Sequence, residues 1–174
     1  QLYSQTPIAT IGIEQSYDTL TRIVDITVTA NFISNSSGNF RLNCFITEDD
    51  VTGGSEYDQA NNNFSGWGAG PDYLQTLIDQ PATISGYAHN HVLRAMLGNP
   101  EGATASIPND VVAGSSYSKS FTYTIPEDYD ADQISLIGLI QNYGANKIDD
   151  RTIVNANSQH LIIPGTPNSI DEYT

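Results

Sequence analysis

The sequence predicts an all-β protein, an antiparallel β-sandwich of jelly-roll type with seven or eight strands. Apolar and polar residues alternate with a period of two along much of the chain, and clusters of Asn, Ser and Gly separate these runs. The runs are irregularly spaced, which favours a sandwich over a barrel, and no repeat of fixed period is present. At 174 residues the chain can bury its own core, so we expect a single domain over residues 1–163.

The predicted strands follow in chain order. The first is Pro7 to Gln15, and the second, RIVDITVTANF, alternates most regularly, with Val24, Ile26, Val28, Ala30 and Phe32 on one face. The turn cluster SNSSGN and the alternating run from Phe40 then predict an antiparallel hairpin with the second strand. YSKSFTYTI alternates again, and QISLIGLIQNY is almost continuously apolar, as a central strand would be. TIVNANSQHLII alternates loosely, which is typical of an edge.

A long polar, Gly-rich loop interrupts the strands between residues 49 and 87. Loops of this length inside a compact domain are often functional, so we expect a binding surface here. Within it, PDYLQTLIDQP predicts a short helix, with Pro71 in its first turn and an apolar stripe ending before Pro81. The last stretch, PGTPNSIDEYT over residues 164–174, is punctuated by Pro, Gly and Asn and is predicted to be a linker.

Composition restricts the partners. Six Lys and Arg against 20 Asp and Glu give a formal charge of −14, which repels nucleic acid and anionic lipid. No apolar run of about 18 residues is present, so we expect no membrane-spanning segment. The single cysteine, Cys44, excludes an intrachain disulfide and lies on the apolar face of a predicted strand, where we expect it to be inert. A surface rich in neutral polar residues predicts an extracellular protein.

Two of the three histidines lie one residue apart in GYAHNHVLRAMLG. On a strand, His89 and His91 would share a face with Leu93, and with Glu48 and Asp58, or Asp49, they could hold Zn²⁺ or Cu²⁺. In the structural alternative, the imidazoles bond to the backbone of the long loop and tie it down. We favour the structural alternative and keep the divalent cation as a hypothesis.

Two further groups are candidates for ligand binding. Asp128, Asp130 and Asp132 are spaced like the start of a Ca²⁺ loop, although the glycine and closing glutamate of an EF-hand are missing, so an acidic turn is the alternative. Trp67, Tyr57 and Tyr73 could form an aromatic platform for a sugar ring, or could pack the loop's own core. No nucleophile elbow of the Gly-x-Ser-x-Gly type is present, and no catalytic residue is assigned.

Several segments together resemble a known family. TEDDVTGG, EYDQANN, GYAHNHVLRAMLG and RTIVNANSQHL occur in order, and from Pro7 to Ile163 the chain resembles the outer membrane protein Omp28-related family of Bacteroidota secreted and surface proteins. The resemblance implies an exported or surface-attached β-sandwich. Members commonly carry an upstream thioredoxin-like domain and a downstream type IX secretion sorting domain, so we expect a removed leader and a sorting domain outside this chain. Without a Cys-x-x-Cys motif here, no redox activity carries over.

The tripeptide Asp18-Thr19-Leu20 resembles the O-glycosylation sequon of Bacteroidota exported proteins, with Thr19 as the acceptor. Taken together, these features predict a non-enzymatic extracellular or cell-surface module for adhesion, ligand binding or surface assembly, whose partner is a surface or extracellular protein or a glycan. One alternative is a self-assembling filament or surface-layer subunit, which would be a homo-oligomer. The other is a metal-dependent binder or hydrolase centred on His89 and His91.

Overall fold

The computed structural model describes residues 7–62, 78–144 and 151–165. The chain divides into two compact units. The first, Gln1–Glu48 with Leu93–Thr174, is called the sandwich unit here, and the second, Asp49–Val92, is called the loop unit. Among the described residues, no helix is long and apolar enough to cross a membrane.

The described residues form strands and two short 3₁₀ turns. The turns are Ser55–Tyr57 and Ala131–Gln133. The strands are β1 (Ala9–Asp18), β2 (Ile23–Phe32), β3 (Ser36–Ser37), β4 (Phe40–Glu48), β5 (Gln59–Ala60), β6 (Thr83–Ile84), β7 (Val92–Met96), β8 (Asp110–Val111), β9 (Ser116–Thr124), β10 (Ile134–Asn142) and β11 (Thr152–His160).

Seven of these strands have five residues or more and build two open sheets. One sheet has the order β1-β2-β9 and the other the order β11-β10-β4-β7. β1 pairs with β2, β2 with β9, β4 with β10 and β10 with β11, and all four pairings are antiparallel. The all-β sandwich prediction is confirmed. The short strands pair β3 with β8 and β5 with β6.

One detail of the predicted topology is not confirmed, and another differs from the structure. The jelly-roll arrangement is not confirmed. Of the seven longer strands, the third, sixth and seventh (β4, β10 and β11) lie in one sheet, as the corresponding C, F and G strands do in immunoglobulin-like sandwiches. The hairpin expected between β2 and β4 is wrong, since the two strands belong to different sheets. The turn cluster SNSSGN marks where the chain leaves one strand, but it does not specify the sheet that the chain enters next.

The core forms between the two sheets of the sandwich unit. On β2, the face predicted to be apolar is buried throughout, from Val24 to Phe32, and Cys44 on β4 is fully buried. β10 lies between β11 and β4, as its continuous apolar run predicted. A side chain at Gly138 of β10 would lie 3.0 Å from Ile13 and Val28 of the other sheet, so this glycine permits the sheets to approach closely. Truncating a buried residue such as Leu136 to alanine should cost about 2–5 kcal/mol.

The loop unit has little regular structure in its described part. It contains the two-residue strands β5 and β6, the 3₁₀ turn Ser55–Tyr57 and an isolated antiparallel bridge between Val51 and His89. The predicted helix in PDYLQTLIDQP falls mostly on residues 63–77, which lie outside the described residues, as do Trp67 and Tyr73.

Candidate functional site

The histidine run is joined residue by residue to the start of the loop unit. His89 and Val51 exchange two backbone hydrogen bonds, both 2.9 Å long. The Asp50 amide donates to the side-chain oxygen of Asn90 at 3.0 Å, and the His91 amide donates to a carboxylate oxygen of Asp49. Three consecutive residues at each end of the loop unit therefore hold its two ends together.

The expectation that His89 and His91 share one face of a strand is wrong. β7 begins only at Val92, and His91 has a φ of 56°, in the left-handed region. Asp50, on the facing segment, also has a positive φ, of 57°. A left-handed backbone costs a non-glycine residue about 1–2 kcal/mol, and the side-chain bonds from Asp49 and Asn90 compensate for this strain. The alternation that places residues on a strand face ends at this point.

The ring of His89 is held between two tyrosines. Its Nε2 atom lies 2.8 Å from the backbone oxygen of Tyr57. The ring centroid is 4.9 Å from that of Tyr87 and 6.4 Å from that of Tyr57, both in edge-to-face arrangements. The structural alternative for His89 predicts that the imidazole bonds to the backbone of the loop, and the contact with the Tyr57 oxygen is such a bond.

The positions of the two tyrosines depend on small residues and on one carboxylate. A Cβ atom at Gly53 would lie 2.2 Å from the ring of Tyr57, so the ring packs directly on the glycine backbone. Asp58 accepts hydrogen bonds from the Ser85 hydroxyl and the Gly86 amide, both 3.1 Å long, just before Tyr87. The Tyr57 side chain is 38% exposed and that of Tyr87 39%. The loop unit thus presents two anchored aromatic rings at its surface.

Each candidate metal ligand has protein partners. In the loop unit, His89 bonds to Tyr57, Asp58 to Ser85 and Gly86, and the Nδ1 atom of His91 lies 3.6 Å from Asp49. A stable Zn²⁺ site normally needs three or four protein ligands. Across residues 7–62, 78–144 and 151–165, no group of three or more His, Cys, Asp or Glu side chains is placed to hold a metal ion.

Glu48, the remaining candidate ligand, lies in the sandwich unit and is only 5% exposed. One carboxylate oxygen accepts from Arg94 Nε at 2.7 Å, and the other accepts from the Asp130 amide at 2.8 Å. The Arg94 guanidinium also lies 4.3 Å from the ring centroid of Tyr129. Glu48 therefore joins β4, β7 and the acidic turn, and Arg94 is a residue that the sequence analysis missed.

The acidic turn has a capping role in the structure. Asp130 accepts a hydrogen bond from the Asp132 amide at 3.0 Å and caps the 3₁₀ turn Ala131–Gln133. The side chains of Asp128, Asp130 and Asp132 are exposed. From the other side, Arg22 donates to the backbone oxygens of Pro126 and Tyr129. Calcium binding by this turn stays a hypothesis, and the turn has protein partners of its own.

The glycosylation candidate Thr19 lies in the turn between β1 and β2. Asp18 accepts a hydrogen bond from the Leu20 amide at 2.9 Å, which is the main reason that the pKa of its carboxyl is lowered. The Leu20 side chain is 94% exposed, and Thr19 is exposed beside it. The Thr19 side chain is therefore accessible, as glycosylation at this position would require.

Neither the thiol of Cys44 nor the arginine side chains are free of interactions with the protein. Burial raises the pKa of the Cys44 thiol to about 12, which keeps the thiol protonated at neutral pH. Each of the four arginines bonds to oxygen atoms nearby. Arg22 and Arg151 donate to the backbone oxygens of Ile125 and Gly144, while Arg41 pairs with Glu101 and Arg94 with Glu48. Three of them pair with carboxylates, and with 20 Asp and Glu against six Lys and Arg the chain carries an excess of negative charge.

Comparisons with known proteins give one family match. The family model described as Outer membrane protein Omp28 matches residues 1–160. No curated protein matches the chain. Among solved structures, the chain is similar to a domain of the outer membrane lipoprotein Omp28 from Porphyromonas gingivalis. The identity is 16%, covering 88% of this chain and 89% of that one, with a TM-score of 0.43.

Proposed function

This chain belongs to the Omp28 family of outer membrane proteins, and from that premise we propose that it is a non-enzymatic binding module of the cell surface. Family membership assigns it to the outer membrane or the cell surface. In this proposal the sandwich unit is the scaffold and the loop unit Asp49–Val92 contacts the ligand. Export by a type IX pathway stays a prediction.

The observation that carries this proposal is the cluster of Tyr57, His89 and Tyr87. Tyrosine rings offer a large and rigid contact area at a low cost in conformational entropy. Both rings are more than a third exposed, although His89, Gly53 and Asp58 hold the segments that carry them. Exposed aromatic side chains that are already fixed in place are suited to recognition, because little entropy is lost when the ligand binds.

Charge and hydrogen bonding indicate the class of ligand. The formal charge of −14 and the pairing of Arg41, Arg94 and Arg151 with carboxylates disfavour an anionic ligand. A neutral glycan fits better, because its ring can stack on a tyrosine while its hydroxyls donate to nearby backbone and carboxylate oxygens. We therefore propose a neutral surface or extracellular glycan as the partner.

A glycan array tests this proposal directly. The wild-type protein is compared with Tyr57→Ala and Tyr87→Ala, and Leu20→Ala in the sandwich unit serves as the control for loss of an exposed apolar side chain. We expect binding to neutral glycans that both tyrosine variants reduce at least about tenfold and that the control retains. Binding that survives both tyrosine substitutions, or no binding to any glycan, would contradict the proposal.

A further inference from the structure

β1 and β11 are the outer strands of their two sheets, on the same side of the sandwich unit. Among the described strands, β1 pairs only with β2, and β11 pairs only with β10. The outer side of such a strand presents unpaired amide and carbonyl groups, to which another chain can add a strand. The structure shows what satisfies several of these groups.

Asn155 on β11 bonds to both edges at once. Its Nδ2 atom donates to the backbone oxygen of Ala9 on β1 at 2.8 Å. Its Oδ1 atom accepts from the amide of Ala156, the next residue of β11, at 2.9 Å. One carboxamide therefore satisfies one carbonyl of β1 and one amide of β11.

Asn157 repeats this arrangement two residues further on. It donates to the Ile11 oxygen of β1 at 3.1 Å and accepts from the Ser158 amide at 3.0 Å. The spacing of two is required, because every second residue of an edge strand directs its backbone groups outward. The two asparagines therefore address successive outward carbonyls of β1.

Gln15 makes the equivalent bonds in the opposite direction, from β1 to the end of β11. Its Nε2 atom donates to the His160 oxygen at 2.8 Å, and its Oε1 atom accepts from the Ile162 amide at 2.9 Å. Side-chain amides suit this role because they carry a donor and an acceptor on one planar group, which carboxylates and ammonium groups lack.

We propose that Asn155, Asn157 and Gln15 form an amide seam that closes the β1 and β11 edges against strand addition by a second copy of this chain. The side-chain hydrogen bonds of the seam take the place of the backbone hydrogen bonds that would otherwise form between the two edges or with an added strand. Within the part of the chain that the structure describes, it leaves the outer sides of β7 and β9 as the remaining edges of the two sheets. Self-assembly of this chain by strand pairing would then have to use β7 or β9.

Hydrogen exchange of the wild-type protein gives the first test and requires no variant. The amides of Ala156 and Ser158 should exchange slowly because the seam holds them. Ser118 and Ser120 on β9 provide the comparison. The Ile125 amide donates to the Arg22 oxygen next to β2, and the backbone groups of successive residues point in alternate directions. The amides of Ser118 and Ser120 therefore point away from β2. We expect exchange at least about tenfold slower at Ala156 and Ser158. Equal exchange rates at the two pairs of amides would overturn the proposal.

The second test measures association. Asn155→Ala combined with Asn157→Ala is compared with the wild type and with Asn109→Ala, whose exposed side chain lies outside the seam. Sedimentation velocity over a range of concentrations should show added association only in the double variant, together with faster exchange at Ala156 and Ser158. A folded double variant that associates no more than the wild type would show that the seam does not block strand addition. Should the double variant not fold, the exchange measurement on the wild type still decides the proposal.

Discussion

The Nε2 atom of His89 lies 2.8 Å from the backbone oxygen of Tyr57, which joins residues 32 positions apart within the loop unit. The same histidine exchanges two backbone bonds with Val51. His89 thus connects three segments of the loop unit, while His91, two residues later, has a side chain that is 79% exposed.

Replacing His89 should loosen the loop unit. We expect His89→Ala to lose about 1 kcal/mol of local stability, because the ring bond to Tyr57 and the packing on Tyr87 disappear. Hydrogen exchange at the Val51 amide and limited proteolysis within residues 49–92 measure the change. His91→Ala is the matched control and should leave both readouts unchanged; equal effects of the two substitutions would contradict the anchoring role of His89.

A second prediction concerns the metal hypothesis. Zn²⁺ would have to displace the bond between His89 and Tyr57 to reach Nε2, and His91 offers only one nearby carboxylate, Asp49. We therefore expect a roughly tenfold molar excess of Zn²⁺ to leave Tm unchanged, since only a ligand that binds the folded state with useful affinity raises it. A rise in Tm that His91→Ala abolishes would instead support the metal-dependent alternative.

The buried thiol of Cys44 predicts a dependence of stability on alkaline pH. In the fold its pKa is raised from 9.0 to about 12 by burial, so the unfolded chain releases this proton at lower pH than the folded one. The contribution of the thiol is fully present below pH 9 and is lost as pH rises from about 9 to about 12. Urea unfolding over this range should show a steeper loss for the wild type than for Cys44→Val. Identical slopes would contradict the assignment, as would rapid thiol alkylation of the folded protein at pH 8.

The ion pair of Glu48 and Arg94 predicts an asymmetric mutational effect. Arg94→Ala leaves a buried carboxylate with only the Asp130 amide, so we expect a loss of about 3 kcal/mol in the free energy of unfolding. The double variant Glu48→Leu, Arg94→Leu should lose less, because no unpaired charge remains. Arg151→Ala is the control: its ion pair with Glu101 is largely exposed and should contribute less than about 1 kcal/mol. A larger loss in the double variant than in Arg94→Ala would contradict this account.

Glycosylation of Thr19 is a separate prediction. Protein secreted by a Bacteroidota host should carry a glycan mass that Thr19→Ala removes, because the residue lies exposed in the turn after β1. Intact mass spectrometry measures this, with Thr10→Ala, another exposed threonine, as the control. A mass equal to that of the bare polypeptide in the wild type would contradict the prediction.

Several features of the fold could be predicted because they depend on local periodicity. The buried face of β2 and the core position of Cys44 follow from a side-chain period of two, and the central place of β10 follows from its apolar run. The candidate site was less predictable. The left-handed backbone at His91 ends the alternation that had placed His89 and His91 on one face, and nothing in the local pattern marks that change.

The loose alternation of TIVNANSQHLII has a physical explanation in the structure. Asn155 and Asn157 pair with Ile140 and Gly138 of β10 and reach toward the edge of the opposite sheet, where they bond to β1. Polar residues at these positions weaken the apolar pattern and satisfy the backbone of both edges. The sequence indicated an edge strand, but its bonding partner could be seen only in the structure.

By itself, the sequence determined the all-β class, the buried faces of the longer strands, the excess of negative charge and the place of the long loop. Only the tertiary structure decided the sheet order, the partners of Glu48 and His89, and the amide seam. The physical reason is distance along the chain: alternation is a property of neighbouring residues, whereas the bond from Asn155 to Ala9 joins positions 146 residues apart. Which edges meet depends on how both sheets pack around their common core.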